Sequence, residues 1–308
     1  MTRVKVRVPA TSANLGPGFD VLGMALNLYN FIEMEATDGG LEIFVEGEGK
    51  GILPADSRSI VYEVAQKVFK TAGYSPRGIK ITLTNSIPIA RGLGSSAAAL
   101  IGGAVAANEL SGGKLSLEEL INIASRMEGH PDNVVPAAVG GFTICINTEK
   151  DGIIFRKIDP PKVYAVAAVP FFELATKKAR NVLPKMVSMG DAVFNIGRSS
   201  LLVYALQKGE FQLLKDVMQD RLHQPYRVSL VPGLEGVFEA ALDAGALGVF
   251  LSGAGPTVIA LVQEKDHIGR IKYSMKEAFS KHGVDCRLLE LEPDAHGAVI
   301  MENDGGIV

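Results

Sequence analysis

Near the N-terminus Val4, Val6 and Val8 alternate with Arg3, Lys5 and Arg7, the period of a half-buried strand, and Pro9 reads as its end. Residues 1–8 are thus expected to form a strand and not an apolar leader. Further strands are predicted over residues 30–36 and 41–46, followed by a turn, Gly47-Glu48-Gly49-Lys50-Gly51, with a solvated lysine. Across residues 59–71 the apolar positions Ile60, Val61, Val64, Ala65, Val68 and Phe69 recur at helical spacing. The β-branched run over 78–83 predicts a strand, and the Ala-rich segment from near Ser95 to about Leu110 a helix. Gly102 and Gly103 inside that helix each cost about 1 kcal/mol against Ala, which points to close helix packing. Ser116 and Glu119 have capping-box spacing for a helix to about Met127, and a strand begins after Gly140-Gly141.

From Asp151 the pattern changes. A strand over 162–169 leads into helical segments, then a strand, Gly turn and strand over 248–262, a helix over 268–283 and a strand over 286–291. Together these predict an α+β sandwich with a boundary near residue 157, giving units 1–157 and 158–308.

At 308 residues the chain has length for two domains, and 21% charged residues with a net charge of -3 leave no basic field. Nucleic acid and membrane surfaces are therefore excluded as expected partners. Cys145 and Cys286 stand far apart without ligand spacing, so neither a disulfide framework nor a zinc site is expected, and a reducing cytoplasm is the simplest location. No run approaches the ~18 apolar residues of a spanning helix. The 34 glycines show no regular period, which argues against a solenoid.

The densest chemistry lies between the strand at 78–83 and the helix after it: Pro88, Ile89, Ala90, Arg91, Gly92, Leu93, Gly94, Ser95, Ser96, Ala97 and Ala98. Gly92 and Gly94 let main-chain N–H groups approach a ligand, and the helix start aims unpaired N–H groups and a positive dipole end into the same loop. A polyphosphate suits that geometry. A turn capped by Ser95 or Ser96 satisfies the same letters. The dinucleotide fingerprint fails because Pro88 to Arg91 intervene after the strand and a second helix follows. A Walker A loop fails because Gly94 is followed by Ser95 and not by lysine.

Other polar clusters follow. Residues 11–20 hold Asn14 and Asp20 in one Gly- and Pro-rich loop, where they can converge. Residues 128–136 offer Glu128 as a carboxylate for a hard cation, with His130, Asp132 and Asn133 either as caps or as a second polar cluster. Ser111 and Lys114 have Ser-Lys hydrolase spacing but sit in a turn that suits a helix end. Thr176, Arg180 and Arg227 are polar candidates in the second half, with solvated surface the default for arginine.

Residues 88–98, Pro-x-x-x-Gly-Leu-Gly-Ser-Ser-Ala-Ala, resemble the phosphate loop of the GHMP kinases. The Gly253/Gly255 turn resembles the third motif of that superfamily, which packs beside the phosphate loop. Ser12-Ala13-Asn14-Leu15-Gly16 through Asp20, Gly129-His130-Pro131-Asp132-Asn133-Val134, Thr176 through Arg180, and Pro225-Tyr226-Arg227 are similar to segments of its homoserine kinase branch. Asp56-Ser57-Arg58-Ser59 departs from that pattern where relatives often carry Asn beside the adenine.

The resemblance implies a two-domain GHMP kinase fold, with an N-terminal ribosomal protein S5 domain 2-like unit and a C-terminal ferredoxin-like α/β sandwich. It implies ATP with Mg²⁺, L-homoserine as acceptor through its side-chain hydroxyl, and a homodimer as an admissible assembly. On that footing residues 88–98 hold phosphates, and Ser95 with Glu128 holds the metal. Asn14, Asp20, Asp132, Asn133, Thr176, Arg180 and Arg227 hold the substrate, with Asp132, Asn133 and Arg180 nearest the chemistry. Charge matching favours a zwitterion: arginines for a carboxylate, Asp20 or Asp132 for an ammonium. Asp132 is left with two roles, base for the hydroxyl or partner of the ammonium. Another GHMP kinase of mevalonate type, or a ligand sensor without catalysis, are the alternatives.

Overall fold

The structure is a computed structural model that describes residues 3–148 and 152–301. Residues 1–2 of the expected first strand, Asp151, and residues 302–308 of the expected second unit lie outside it. The elements run β1 (Arg3–Ala13), β2 (Leu22–Thr37), β3 (Gly40–Gly47), α1 (Ile60–Ala72), β4 (Gly78–Asn85), α2 (Ser95–Leu110), α3 (Leu117–Glu128), α4 (Val134–Val139), β5 (Phe142–Thr148) and β6 (Gly152–Ile158). There follow β7 (Tyr164–Pro170), α5 (Thr176–Asn181), α6 (Met189–Lys208), α7 (Leu214–Val217), α8 (Gln224–Arg227), α9 (Leu234–Asp243), β8 (Gly248–Leu251), β9 (Val258–Val262), α10 (Ile268–Ser280), β10 (Cys286–Leu291) and β11 (Val299–Met301).

The first sheet runs β11-β1-β2-β4-β3, with β5 and β6 continuing from the other half of β2. Val4, Val6 and Val8 are buried as their alternation requires. The strand does not stop at Pro9: its register against β2 shifts between Pro9 and Ala10, and pairing continues to Ala13. A bulge tolerates the missing proline N–H, so residues 11–13 are strand where a loop was expected. Strand β2 spans 16 residues and pairs with β5 at its start and β4 at its end.

Helix α2 lies on β1 and β2, under α1 and α3. It is apolar all round and deeply buried, as a helix covered on every side must be. Gly102 packs against Ile32 and Val8 of the sheet, whereas Gly103 admits Val61 and Val64 of α1. Close approach explains both glycines, one against the sheet and one against a helix. Ser116 and Glu119 form the expected capping box, and Ser111 and Lys114 hydrogen-bond backbone carbonyls at a helix end.

The second sheet is antiparallel in the order β10-β7-β9-β8, that of a ferredoxin-like βαββαβ unit. Ala165, Ala167 and Val169 on one face of β7 join the same core as the first sheet. Val166 and Ala168 on the other face join a core with Val237, Ile271 and Met275 from α9 and α10. Strand β7 is therefore apolar throughout and not alternating. Two strands were not anticipated. Strand β6 pairs with β5, and β11 leaves the second half to pair with β1. Residues 299–301, which the sequence reading grouped with the second unit, thus pair with the first sheet.

Candidate active site

Six segments surround one open cavity: the loop after β1, the loop before α2, the α3–α4 junction, the start of α5, the end of α8 at Arg227 and the turn between β8 and β9. Among the described non-glycine residues, Asn14, Leu15, Asp20 and Ala90 have φ in the left-handed region, at 70°, 47°, 58° and 52°. Three of these line the cavity. Such backbone costs of order 1–3 kcal/mol per residue and persists where the surroundings over-determine it.

The glycines before α2 are set by neighbours. A Cβ at Gly94 would fall 1.9 Å from Thr11 Oγ1, and one at Gly92 2.3 Å from the Ser252 carbonyl oxygen. Backbone and hydroxyl donors lace the loop to both flanks: Thr11 N–H to Leu93 O (3.1 Å), Ser252 Oγ to Gly92 O (2.6 Å) and Thr257 N–H to Arg91 O (3.3 Å). Helix α2 starts at Ser95 with Gly94 as its N-cap, so the N–H groups of its first turn have no intrahelical acceptor. With the dipole, they make an anion site.

Ala90, Arg91, Gly92, Gly94, Ser95 and Ser96 line the cavity. Ile89 faces an adjoining groove, while Pro88, Leu93, Ala97 and Ala98 are buried supports whose side chains reach neither. Arg91, expected to help hold phosphate, instead donates to the carbonyls of Ile89, Pro170 and Phe171. Its guanidinium fastens the loop to the end of β7. Of the two serines that line the cavity, Ser96 donates through Oγ to Glu128 Oε2 at 2.6 Å, beside the expected ligand Ser95.

At the α3–α4 junction His130 Nδ1 lies 2.5 Å from Asp132 Oδ1, with Asp132 only 2% exposed. Burial alone would lower the His130 pKa, but the bond to Asp132 and the charges of Asp132 and Glu128 outweigh it and raise it above the ordinary 6.5. Asn133 accepts a hydrogen bond from Thr11 Oγ1 at 2.9 Å, which leaves its NH₂ as what it can offer a ligand. It does not cap α4 through its side chain.

Arg180 and Asp20, expected to hold opposite ends of a ligand, hold one another. Arg180 Nη1 and Nη2 donate to the two carboxylate oxygens at 2.9 and 2.7 Å, a fork-to-fork pair that raises the Arg180 pKa. Arg227, 2% exposed, donates to Gly253 O and Ala179 O, so neither arginine is a solvated surface charge. Burial first, and Arg180 nearby, lower the Arg227 pKa to about 10. Phe19 carries Arg180 and Arg227 over its ring at 5.5 and 5.6 Å. Asn14 links the same loop to the glycine turn, donating to Gly253 O (3.0 Å) and accepting the Asp20 N–H (3.0 Å). Thr176, exposed at the start of α5, lines both the cavity and the groove.

That groove is walled by Ile32, Leu53, Leu83 and Ala99 and joins the cavity at Ala90, Ser95 and Ser96. Arg58 and Ser59 lie on its rim, with Arg58 paired to Asp56. The sequence reading missed Phe19, His223, Ser252 and Thr11 as parts of the site. The first stood inside a recognised motif, and the others carry no signal beyond their neighbours.

Family models for the GHMP kinases N terminal domain and the GHMP kinases C terminal region match residues 59–141 and 202–281. A homoserine kinase of Moorella thermoacetica is 48% identical over 299 residues, covering 96% of this chain and 99% of its own. One from Desulfitobacterium hafniense is 45% identical, covering 97% and 100%. The crystal structure of homoserine kinase from Cytophaga hutchinsonii superposes with a TM-score of 0.88 at 34% identity, covering 98% of each chain.

Proposed function

The chain belongs to the GHMP kinases and, among them, to the homoserine kinases, and from that membership we propose how its cavity moves a phosphoryl group from ATP to the side-chain hydroxyl of L-homoserine. One observation carries the reading: an anion-binding helix start and a set of opposed charges face each other across a single cavity. The loop from Gly92 to Ser96 holds the β- and γ-phosphates. The apolar groove beside it takes the planar base, a surface with few donors to compete with water.

Mg²⁺ fits the donor set at the mouth of the loop. Glu128 and Ser96 are hard oxygen ligands in mutual contact, and among the described residues no group of three or more His, Cys, Asp and Glu forms a cage. That suits an ion that keeps waters and phosphate oxygens as its other ligands. When bound, it neutralises charge developing on the phosphates.

Homoserine brings one group for each partner of the Asp20–Arg180 pair. A zwitterion exchanges one ion pair for two, its carboxylate going to Arg180 and Arg227 and its ammonium to Asp20. A ligand with a single charge strands the other partner, which disfavours mevalonate. Asp132 is already engaged by His130, and Asn133 offers a donor, so the hydroxyl meets an orienting amide and no committed base. Positioning and electrostatic stabilisation suffice for a loose phosphoryl transition state. A cytoplasmic location and a homodimer complete the proposal. A coupled assay of ADP release with homoserine, mevalonate, galactose or no acceptor tests it: turnover specific to homoserine is expected, and equal turnover with mevalonate overturns it.

A further inference from the structure

Beneath the cavity the imidazole of His223, 0% exposed, joins the loop at residues 16–20 to Arg227. Its Nε2 lies 2.7 Å from Gly16 O and its Nδ1 3.0 Å from Arg227 Nη1. A carbonyl oxygen only accepts and a guanidinium N–H only donates, so the ring carries its proton on Nε2 and presents a lone pair at Nδ1. Burial first, and the charge of Arg227, hold its pKa down, in keeping with a neutral ring. The ring stacks on Phe19 at 5.2 Å, the same aromatic that underlies Arg180 and Arg227. Its backbone is held as well, because Asp220 accepts the N–H groups of Leu222, His223 and Gln224. The other acceptors of Arg227 are main-chain carbonyls of Gly253 and Ala179. His223 hydrogen-bonds this guanidinium to the loop bearing Asp20, beside the ring contact that Phe19 of the same loop makes with it.

We infer that His223 is a positioning residue for the acceptor substrate, fixing through one tautomer the spacing between Arg227 and the Asp20 loop. The inference rests on the reading that these groups receive the two charges of homoserine. Phe at this position keeps the stack on Phe19 and removes both polar bonds. Asn returns an acceptor near Nδ1, and Gln returns a donor near Nε2.

Steady-state kinetics of the three variants, with each substrate varied in turn, test it. His223→Phe should raise the homoserine KM about 10- to 100-fold while kcat and the ATP KM stay within about threefold. His223→Asn should recover much of the loss and His223→Gln little of it. Equal behaviour of Asn and Phe, or kcat and both KM values moving together, overturns the inference. If the Phe variant fails to fold, Asn and Gln alone decide: Asn ahead supports it, and equality sinks it. An inactive wild type would instead defeat the substrate reading, whereas an active wild type with a flat His223 series defeats only this one.

Discussion

Replacing Arg180 by Ala removes two hydrogen bonds of 2.9 and 2.7 Å and leaves the Asp20 carboxylate facing the cavity alone. The pair is 36% and 33% exposed, so in the free chain its loss should cost about 1 kcal/mol or less of stability, a shift of a few degrees in Tm. With homoserine bound the same truncation leaves a carboxylate without its fork in a cleft closed by substrate. Losses of this kind run to about 2–5 kcal/mol, or roughly 30- to 5,000-fold in kcat/KM. The effect on catalysis should therefore exceed the effect on stability, and ATP affinity should hardly move, since the phosphate loop is not touched. Arg180→Lys restores charge but not the fork, and should recover only part of the loss. Asp20→Asn should narrow the preference for homoserine over 4-hydroxybutanoate, because the stranded partner is then uncharged. The assay is initial rate with acceptor varied at saturating ATP. An Arg180→Ala variant with unchanged homoserine efficiency would mean that Arg180 only restrains Asp20 and that the carboxylate is bound elsewhere.

Ser96→Ala should lower turnover more than Ser95→Ala, and Glu128→Gln by orders of magnitude, each shifting the Mg²⁺ dependence of the rate; equal serine variants would detach Ser96 from the metal. Gly94→Ala should cost both stability and activity, because its Cβ meets the Thr11 hydroxyl that orients Asn133; differential scanning calorimetry beside kcat reads the two losses. His130 has a raised pKa, so its charged pairing stabilises the fold fully below about pH 6.5 and is lost as pH rises through the folded value. The Tm advantage of wild type over His130→Gln should shrink as pH rises above about 6.5, and a difference constant with pH would show that the pair does not titrate.

The phosphate loop was legible because its chemistry is local: two glycines and a helix start within a few residues announce an anion site. An α+β sandwich was legible from the apolar runs and the glycine turn, whereas its ferredoxin-like form was implied only by the family resemblance. What pairs across the fold was not. Asp20 and Arg180 are 160 positions apart, and opposite charges assigned to a ligand also suit each other in its absence. Ser95 and Ser96 differ by one residue of helical phase, about 100°, and only the position of α3 decides which meets Glu128. Strand β6 is half-exposed without clean alternation, and β11 is three residues long, so neither carries a periodic signal. His223 carries no signal of its own in the sequence, and its contacts appear only when Gly16 and Arg227 arrive at its two ring nitrogens.

The return of β11 to β1 has a consequence for synthesis. Lys5, Val6 and Arg7 pair with Met301, Ile300 and Val299, so one edge of the first sheet lacks its neighbour until residues near 300 leave the ribosome. At about 5–20 residues per second that wait lasts roughly 15–60 s for a chain of this length. During it, Arg3, Lys5 and Arg7 place a positive charge at every second position of the open strand, which discourages a second nascent chain from pairing there. The basic alternation that first marked the strand thus guards it while it waits for its partner.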